Sequence, residues 1–190
     1  MKILVVLGSV RNGRVGDKVA NWVMSEAKTR NDEFEYELLD LKDYPMKSFE
    51  EEGHPAMLNG NTSDDNANKW IKKVNEADGF LFVTPEYNHL PSGALKNAID
   101  YPYNEWAKKP IAYVSYGGAS GGSRAVEILR LAAIEEHMVP IRESVVIQFV
   151  HSKVEDNKLV PDGYMEKTLP ATLDQLERYT KALIKVRTEL

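Results

Sequence analysis

The chain has 190 residues, 43% of them hydrophobic, which suffices to bury one core and is short for two independent domains. Its 24 Lys and Arg stand against 29 Asp and Glu for a net charge of -5, with the signs interleaved along the chain, so no basic footprint for a nucleic acid appears. Cys is absent, which excludes disulfides, thiolate catalysis and Cys-ligated metal sites and fits a reducing cytoplasm.

The first apolar run, Ile3 to Leu7, is too short for a signal-peptide core, and nothing approaches the roughly 20 apolar residues of a membrane span. An intact cytosolic protein is expected. The run is rich in β-branched residues and breaks at Gly8, which predicts a strand buried on both faces of a parallel sheet. Val15, Val19, Trp22, Val23 and Ala27 recur at helical spacing until the charged stretch from Lys28 to Glu35. Tyr36 to Leu41 reads as a second strand. Residues 42 to 63 contain Pro45, Gly53, Pro55 and Gly60 with little periodicity and read as a long surface loop. Ala67, Trp70, Ile71, Val74 and Ala77 predict a second helix, Phe80 to Thr84 a third strand, and Leu95, Ala98 and Ile99 a third helix. Ile111 to Ser115, Arg124 to His137 and Ile141 to Phe149 then read as strand, helix and strand, and Leu169, Leu173, Leu176, Leu183 and Val186 mark a last helix.

Five alternations of strand and helix without an internal repeat predict an α/β architecture: one domain over residues 1–190, a doubly wound five-stranded parallel sheet of flavodoxin-like order 2-1-3-4-5, helices on both faces. In such sheets a ligand sits beyond the carboxyl ends of the strands at the switch point. Three loops are therefore candidates.

The first, Gly8 to Gly16, carries three glycines, Ser9, Arg11 and Arg14 between a strand and a helix beginning near Val15 and Gly16. Bare amides, a helix N-terminus and forked guanidinium donors suit a phosphate. Gly8 and Gly13 have the spacing of a triphosphate-binding loop, but Arg14 and Val15 occupy the positions of its Lys and its magnesium-binding hydroxyl, and the glycines at 8, 13 and 16 do not form a dinucleotide fingerprint. A monophosphate ligand fits what remains. The second loop, Thr84 to Gly93, is stiffened by Pro85 and Pro91 and offers Glu86, Tyr87 and Asn88 to the edge and face of a flat heterocycle. The third, Ser115-Tyr116-Gly117-Gly118-Ala119-Ser120-Gly121-Gly122, exposes amides at the head of a helix, where they would stabilise negative charge on a reduced ring.

Taken together the loops resemble those of the NADPH-dependent FMN reductase family, which includes flavodoxin-like quinone and azo reductases. Gly8-Ser9-x-Arg11 with Gly13 resembles its phosphate loop. Pro85-Glu86-Tyr87-Asn88 followed by Leu95-Lys96-Asn97-Ala98-Ile99-Asp100 resembles its central signature, and Gly117, Gly118 and Gly121 its third loop. The likeness runs over about residues 2 to 150. It implies FMN as cofactor, NADPH or NADH as hydride donor, a small-molecule acceptor such as a flavin, quinone or azo compound, and a homodimer or homotetramer. By the same resemblance Ser9 and Arg11 hold the FMN phosphate, Pro85 to Asn88 contact the ring, and Tyr116 to Gly118 border its pyrimidine edge. Arg14 and Gly16 stand where many members carry Ser and Asn, and Leu90 where a small or polar residue is common.

Two other readings compete. A flavodoxin-type electron carrier shares the fold, although such carriers favour a first loop dense in Ser and Thr. Gly118-x-Ser120-x-Gly122 matches the nucleophile elbow of serine hydrolases, whose acid would come from Glu135, Glu136 or Glu143 and whose base from His137 or His151. His54, His89, His137 and His151 lack metal-ligand spacing, so no metal is assigned. Glu86 is expected to make a structural contact in its loop, since hydride transfer to a flavin needs no side-chain base.

Overall fold

The computed structural model describes residues 1–30 and 33–188. Five strands, β1 (Lys2–Leu7), β2 (Glu35–Asp40), β3 (Gly79–Pro85), β4 (Pro110–Tyr116) and β5 (Val139–Ile147), form one parallel sheet in the order β2-β1-β3-β4-β5, as the alternation predicts. β3 and β4 are buried along their whole length and β1 from Ile3 onward, which is why their sequences read as unbroken apolar runs.

Helices cover both faces. On one side α1 (Gly16–Ala27) and the long α6 (Gly163–Thr188) pack on Ile3, Val5, Leu81, Val83 and Val114. On the other, α3 (Asp65–Glu76), α4 (Gly93–Asp100) and α5 (Ser123–Glu135) enclose Leu4, Val6, Phe80, Phe82 and Tyr113. Trp70 and Trp106, both fully buried, cross edge to face there, and each indole N–H donates to a carbonyl of α4, Trp70 to Ala98 at 2.7 Å and Trp106 to Ile99 at 3.1 Å. These bonds fix α4 below the second loop.

Several boundaries differ from the sequence reading. The expected loop 42–63 contains a short helix α2 (Pro55–Leu58), started by Pro at its first position and the His54 ring accepting from the Ala56 amide at 3.2 Å. The loop is held by Asp64, which accepts from the Lys47 amide at 2.7 Å while capping α3. β5 stops at Ile147, two residues before its expected end, because Phe149 takes a left-handed conformation, φ 49°, and opens a 3-10 turn, Val150–Lys153. A hairpin of β6 (Val154–Glu155) and β7 (Lys158–Leu159), turned by Asp156 and Asn157 at φ 46° and 61°, leads into α6. Two-residue strands leave no periodicity to read. The charged stretch after α1 includes positions 31 and 32, which lie outside the described residues.

Lys109 is 6% exposed, and its ammonium donates to the carbonyls of Val74 and Asn75, at 2.9 and 3.0 Å, at the end of α3. Burial, helped by the Arg187 charge, lowers its pKa from 10.5 to about 8. The unfolded chain therefore holds one more proton than the folded chain between about pH 8 and pH 10.5, and this group's contribution to stability rises with pH across that window. Urea unfolding of the protein and of Lys109→Met at pH 7.5 and 10 should show the difference between them shifting towards the native lysine by on the order of 2 kcal/mol.

Candidate functional site

The carboxyl ends of β1, β3 and β4 lie side by side, and their loops enclose a cleft of about 170 Å³. Gly8 opens the first loop in a space that admits no side chain, since a Cβ there would lie 2.9 Å from Leu95 Cδ2 and 3.3 Å from the Val83 carbonyl oxygen. Its own amide donates to that carbonyl at 2.9 Å, and its carbonyl accepts from the Ser92 hydroxyl, which also caps α4 at the Leu95 amide. Ser92 thus locks the first loop to the second.

The cleft is lined by Ser9, Arg11, Arg14 and Val15 from the first loop, Pro85, Glu86 and Tyr87 from the second, and Tyr116, Gly117 and Gly118 from the third. Ser9 is completely buried, and its hydroxyl pairs with Tyr87 Oη at 2.8 Å. Arg11 is exposed and makes no hydrogen bond or ion pair among the described residues. Val15, in the lining, is the N-cap of α1 and offers no side-chain cap, and the Gly16 and Asp17 amides have no acceptor among the described residues.

Arg14 differs from its sequence-based role. Its guanidinium forms a fork on the Asp40 carboxylate at the end of β2, one arm at 2.8 Å, and also reaches the Ser9 carbonyl. That neutralised pair shapes the loop, leaving Arg11 as the free cation.

Tyr116 Oη is buried without a hydrogen-bond partner. Burial, then the neighbouring Tyr87, pushes this phenol well above the ordinary tyrosine range, so it keeps its proton as a donor. A Cβ on Gly16 would lie 2.3 Å from that oxygen. Gly16 is therefore the residue that makes room for Tyr116 and does not itself line the cleft.

Three further expected residues lie outside it. Ser115 is buried in the sheet with its hydroxyl 3.5 Å from the Val145 carbonyl. Asn88 and His89, at φ 52° and 73°, form the exposed tip of a two-residue turn closed by mutual bonds between the Tyr87 and Leu90 backbones. Gly121, φ 60°, packs on Val146 and the Gln148 amide and bends the third loop back. The Gly117 amide, expected to face the ligand, donates to the Ile147 carbonyl at 3.2 Å, whereas Gly118 N–H has no acceptor among the described residues. Val150 and His151 join the lining, although the sequence past residue 150 carried no signature. The signal was topological: β5 neighbours β4, so the chain leaving β5 borders the same edge.

Glu86 stitches the second loop to the third. Its side chain, 7% exposed, accepts from the Ser120 hydroxyl at 2.9 Å, the Arg124 guanidinium at 2.9 Å and the Arg124 amide at 3.1 Å. This is the structural contact expected of it. Ser120 thereby faces a carboxylate instead of a histidine, and the left-handed residues of its turn are Gly121 and Gly122, so the hydrolase arrangement is not assembled.

A family model described as NADPH-dependent FMN reductase matches residues 1–152. The chain belongs to that family. It is 43% identical over 131 residues to an NAD(P)H-dependent FMN reductase of Schizosaccharomyces pombe, covering 69% of this chain and 65% of the relative. It is also 30% identical over 195 residues to an NADPH azoreductase of a Bacillus species, covering 100% and 98%. The alignments span just under two thirds of the S. pombe protein and of a Nectria FMN reductase, 65% and 63%. Among solved structures, the flavoenzyme FerB of Paracoccus denitrificans superposes with a TM-score of 0.71 at 22% identity over 97% of both chains, a likeness of fold.

Burial opposes ionisation of Glu86, but the Arg124 guanidinium, the Ser120 hydroxyl and the Arg124 amide outweigh it and hold the carboxyl below its ordinary 4.5. A depressed acid contributes stability that is present above about pH 4.5 and lost as pH falls through its folded value. Glu86→Gln should lower the melting temperature at pH 7, and the two proteins should converge as the pH falls towards 3 in parallel thermal melts.

Proposed function

We propose that the protein is an FMN-dependent NAD(P)H oxidoreductase that passes two electrons to a small acceptor such as a quinone, an azo compound or a flavin, and that it works in the cytoplasm as a homodimer or larger homo-oligomer. The observation that carries this reading is the donor set in one cleft: an uncapped α1, an unpaired Arg11 and the Gly118 amide without an acceptor among the described residues. These groups fit an anionic ligand such as a phosphate.

In this reading Arg11, the first-turn amides of α1 and the Ser9 loop hold the phosphate, with Arg14 positioning that loop through Asp40. Pro85 and Tyr87 form the wall against the ring, and the Gly118 amide meets the side where negative charge develops. When bound, FMN supplies the two-electron carrier between nicotinamide and acceptor. Glu86 keeps the second and third loops at fixed separation.

The cleft of about 170 Å³ is smaller than the roughly 300 to 1,000 Å³ that encloses a ligand of cofactor size, so one subunit leaves part of the ring open. A second copy is the natural cover. On α5, Ile128, Leu131 and Ile134 are 41%, 66% and 62% exposed along one stripe, and the head of this helix is bound to Glu86. We assign this face to self-association.

The visible spectrum of the purified protein, before and after anaerobic NADPH, tests the central reading: a yellow protein that bleaches supports it, and a colourless protein that takes up no FMN rejects it. Arg11→Ala should weaken FMN binding by about ten- to a hundredfold in a fluorescence titration, with unchanged circular dichroism. Leu131→Glu should shift the light-scattering mass to that of a monomer while unfolding remains cooperative.

A further inference from the structure

The 3-10 turn Val150–Lys153 carries the chain from the edge strand β5 towards α1. Two backbone bonds fix its start to the third loop, from the Phe149 amide to the Gly118 carbonyl at 3.0 Å and from the Val150 amide to the Gly117 carbonyl at 3.1 Å. Val150 is 1% exposed and anchors the turn, and Leu159 of β7 shares the same core with Val15, Val19 and Val23 of α1. The segment is held at both ends. His151 therefore stands between the third loop and the head of α1, and it lines the same cleft as Arg11 and Val15.

His151 is exposed and makes no hydrogen bond or ion pair among the described residues. The nearby acids are engaged elsewhere. Glu86, in the lining, is paired with Arg124 at 2.9 Å, and of the two carboxylates that flank the first loop Asp40 holds Arg14 at 2.8 Å and Asp17 holds Lys18 at 3.2 Å. With Arg14 withdrawn in this way, the first loop keeps one unpaired guanidinium, that of Arg11, for an anion. An imidazole donates a hydrogen bond in either protonation state and adds a positive charge when protonated. An unpartnered donor of this kind, facing a cleft whose other free groups are Arg11 and the first amides of α1, suits an anionic oxygen.

We propose that His151 binds the anion held in this cleft and, with Arg11 and the α1 amides, completes the cradle for the FMN phosphate. The inference rests on the FMN reading above and adds a phosphate contact from outside the three loops. Arg11 and the amides reach the anion from the first loop, and His151 reaches it from the segment that leaves the opposite side of the sheet. Because the turn is bonded to Gly117 and Gly118, the contact to the phosphate and the loop beside the ring keep a fixed spacing.

The test compares FMN with riboflavin, which has the same ring and no phosphate, in fluorescence titrations of the native protein, His151→Ala, His151→Asp and His151→Arg. The turn is held by backbone bonds and the side chain is exposed, so all three variants should keep the native melting temperature. FMN affinity should fall about tenfold in His151→Ala and further in His151→Asp, where a carboxylate would face the phosphate, and His151→Arg should match or exceed the native protein. Riboflavin affinity should be the same in all four. FMN and riboflavin weakened alike, or an FMN affinity indifferent to every substitution in a protein that NADPH bleaches, overturns this assignment alone. Inorganic phosphate is the probe that needs no flavin: a rise in melting temperature with phosphate that disappears in His151→Asp, in a protein that takes up no FMN, supports the His151 contact and rejects the flavin reading instead. A native protein that responds to neither FMN nor phosphate overturns both.

Discussion

Parallel strands cannot be joined by a tight hairpin, so each of β1, β3 and β4 must send its chain across a face of the sheet before the next begins. All three then end at the same edge, and the loops that leave them converge there. Burial on both faces leaves these strands no freedom of register: Leu7 pairs with Val83, and Thr84 with Ser115. The cleft is a consequence of that register. Gly8, Pro85 and Gly117 are the points at which the chain leaves the sheet, and each stands in a place where the backbone must turn close to a neighbour.

Polar contacts between loops, instead of apolar packing, give the cleft its shape. Ser92 ties the first loop to α4, Ser9 meets Tyr87, and Glu86 joins the second loop to Ser120 and the head of α5. Each contact engages a group that would otherwise be a buried polar atom without a partner. The groups left over are informative for the same reason. With Arg14 neutralised by Asp40 and the Gly117 amide committed to Ile147, the unsatisfied donors are Arg11, the start of α1, Tyr116 Oη and Gly118. They stand along the cleft that we propose holds the cofactor.

Val150 and His151, after β5, extend the lining of the cleft beyond the motifs that carry the family resemblance. The family model ends at residue 152, inside the turn Val150–Lys153. Past it, Leu159 of the β6–β7 hairpin and Met165, Leu169, Leu173 and Leu176 of α6 pack on the α1 side of the sheet. Among the described residues no helix is long and apolar enough to cross a membrane, and no group of His, Asp and Glu is placed to hold a metal ion.

The sequence by itself determined the five strands, their order and the three loops that meet, because burial on two faces writes an unbroken apolar run and a switch point follows from chain order. It also carried the family, through Pro85-Glu86-Tyr87-Asn88 and the glycines around it. The tertiary structure decided which atoms of those loops are free. Arg11 and Arg14 are equivalent on paper, and only the arrival of Asp40 from β2 separates an exposed, unpaired guanidinium from a structural ion pair. Gly16 reads as a cradle glycine until Tyr116, a hundred positions later, fills the space above it. Asn88 and Ser115 lie next to cleft residues in the chain but point elsewhere, because a left-handed turn carries one outward and the pleat of β4 turns the other into the core. Val150, His151 and Phe149 had no motif at all. Their placement depends on where β5 ends against the third loop, a contact between residues distant in the chain that no local pattern encodes.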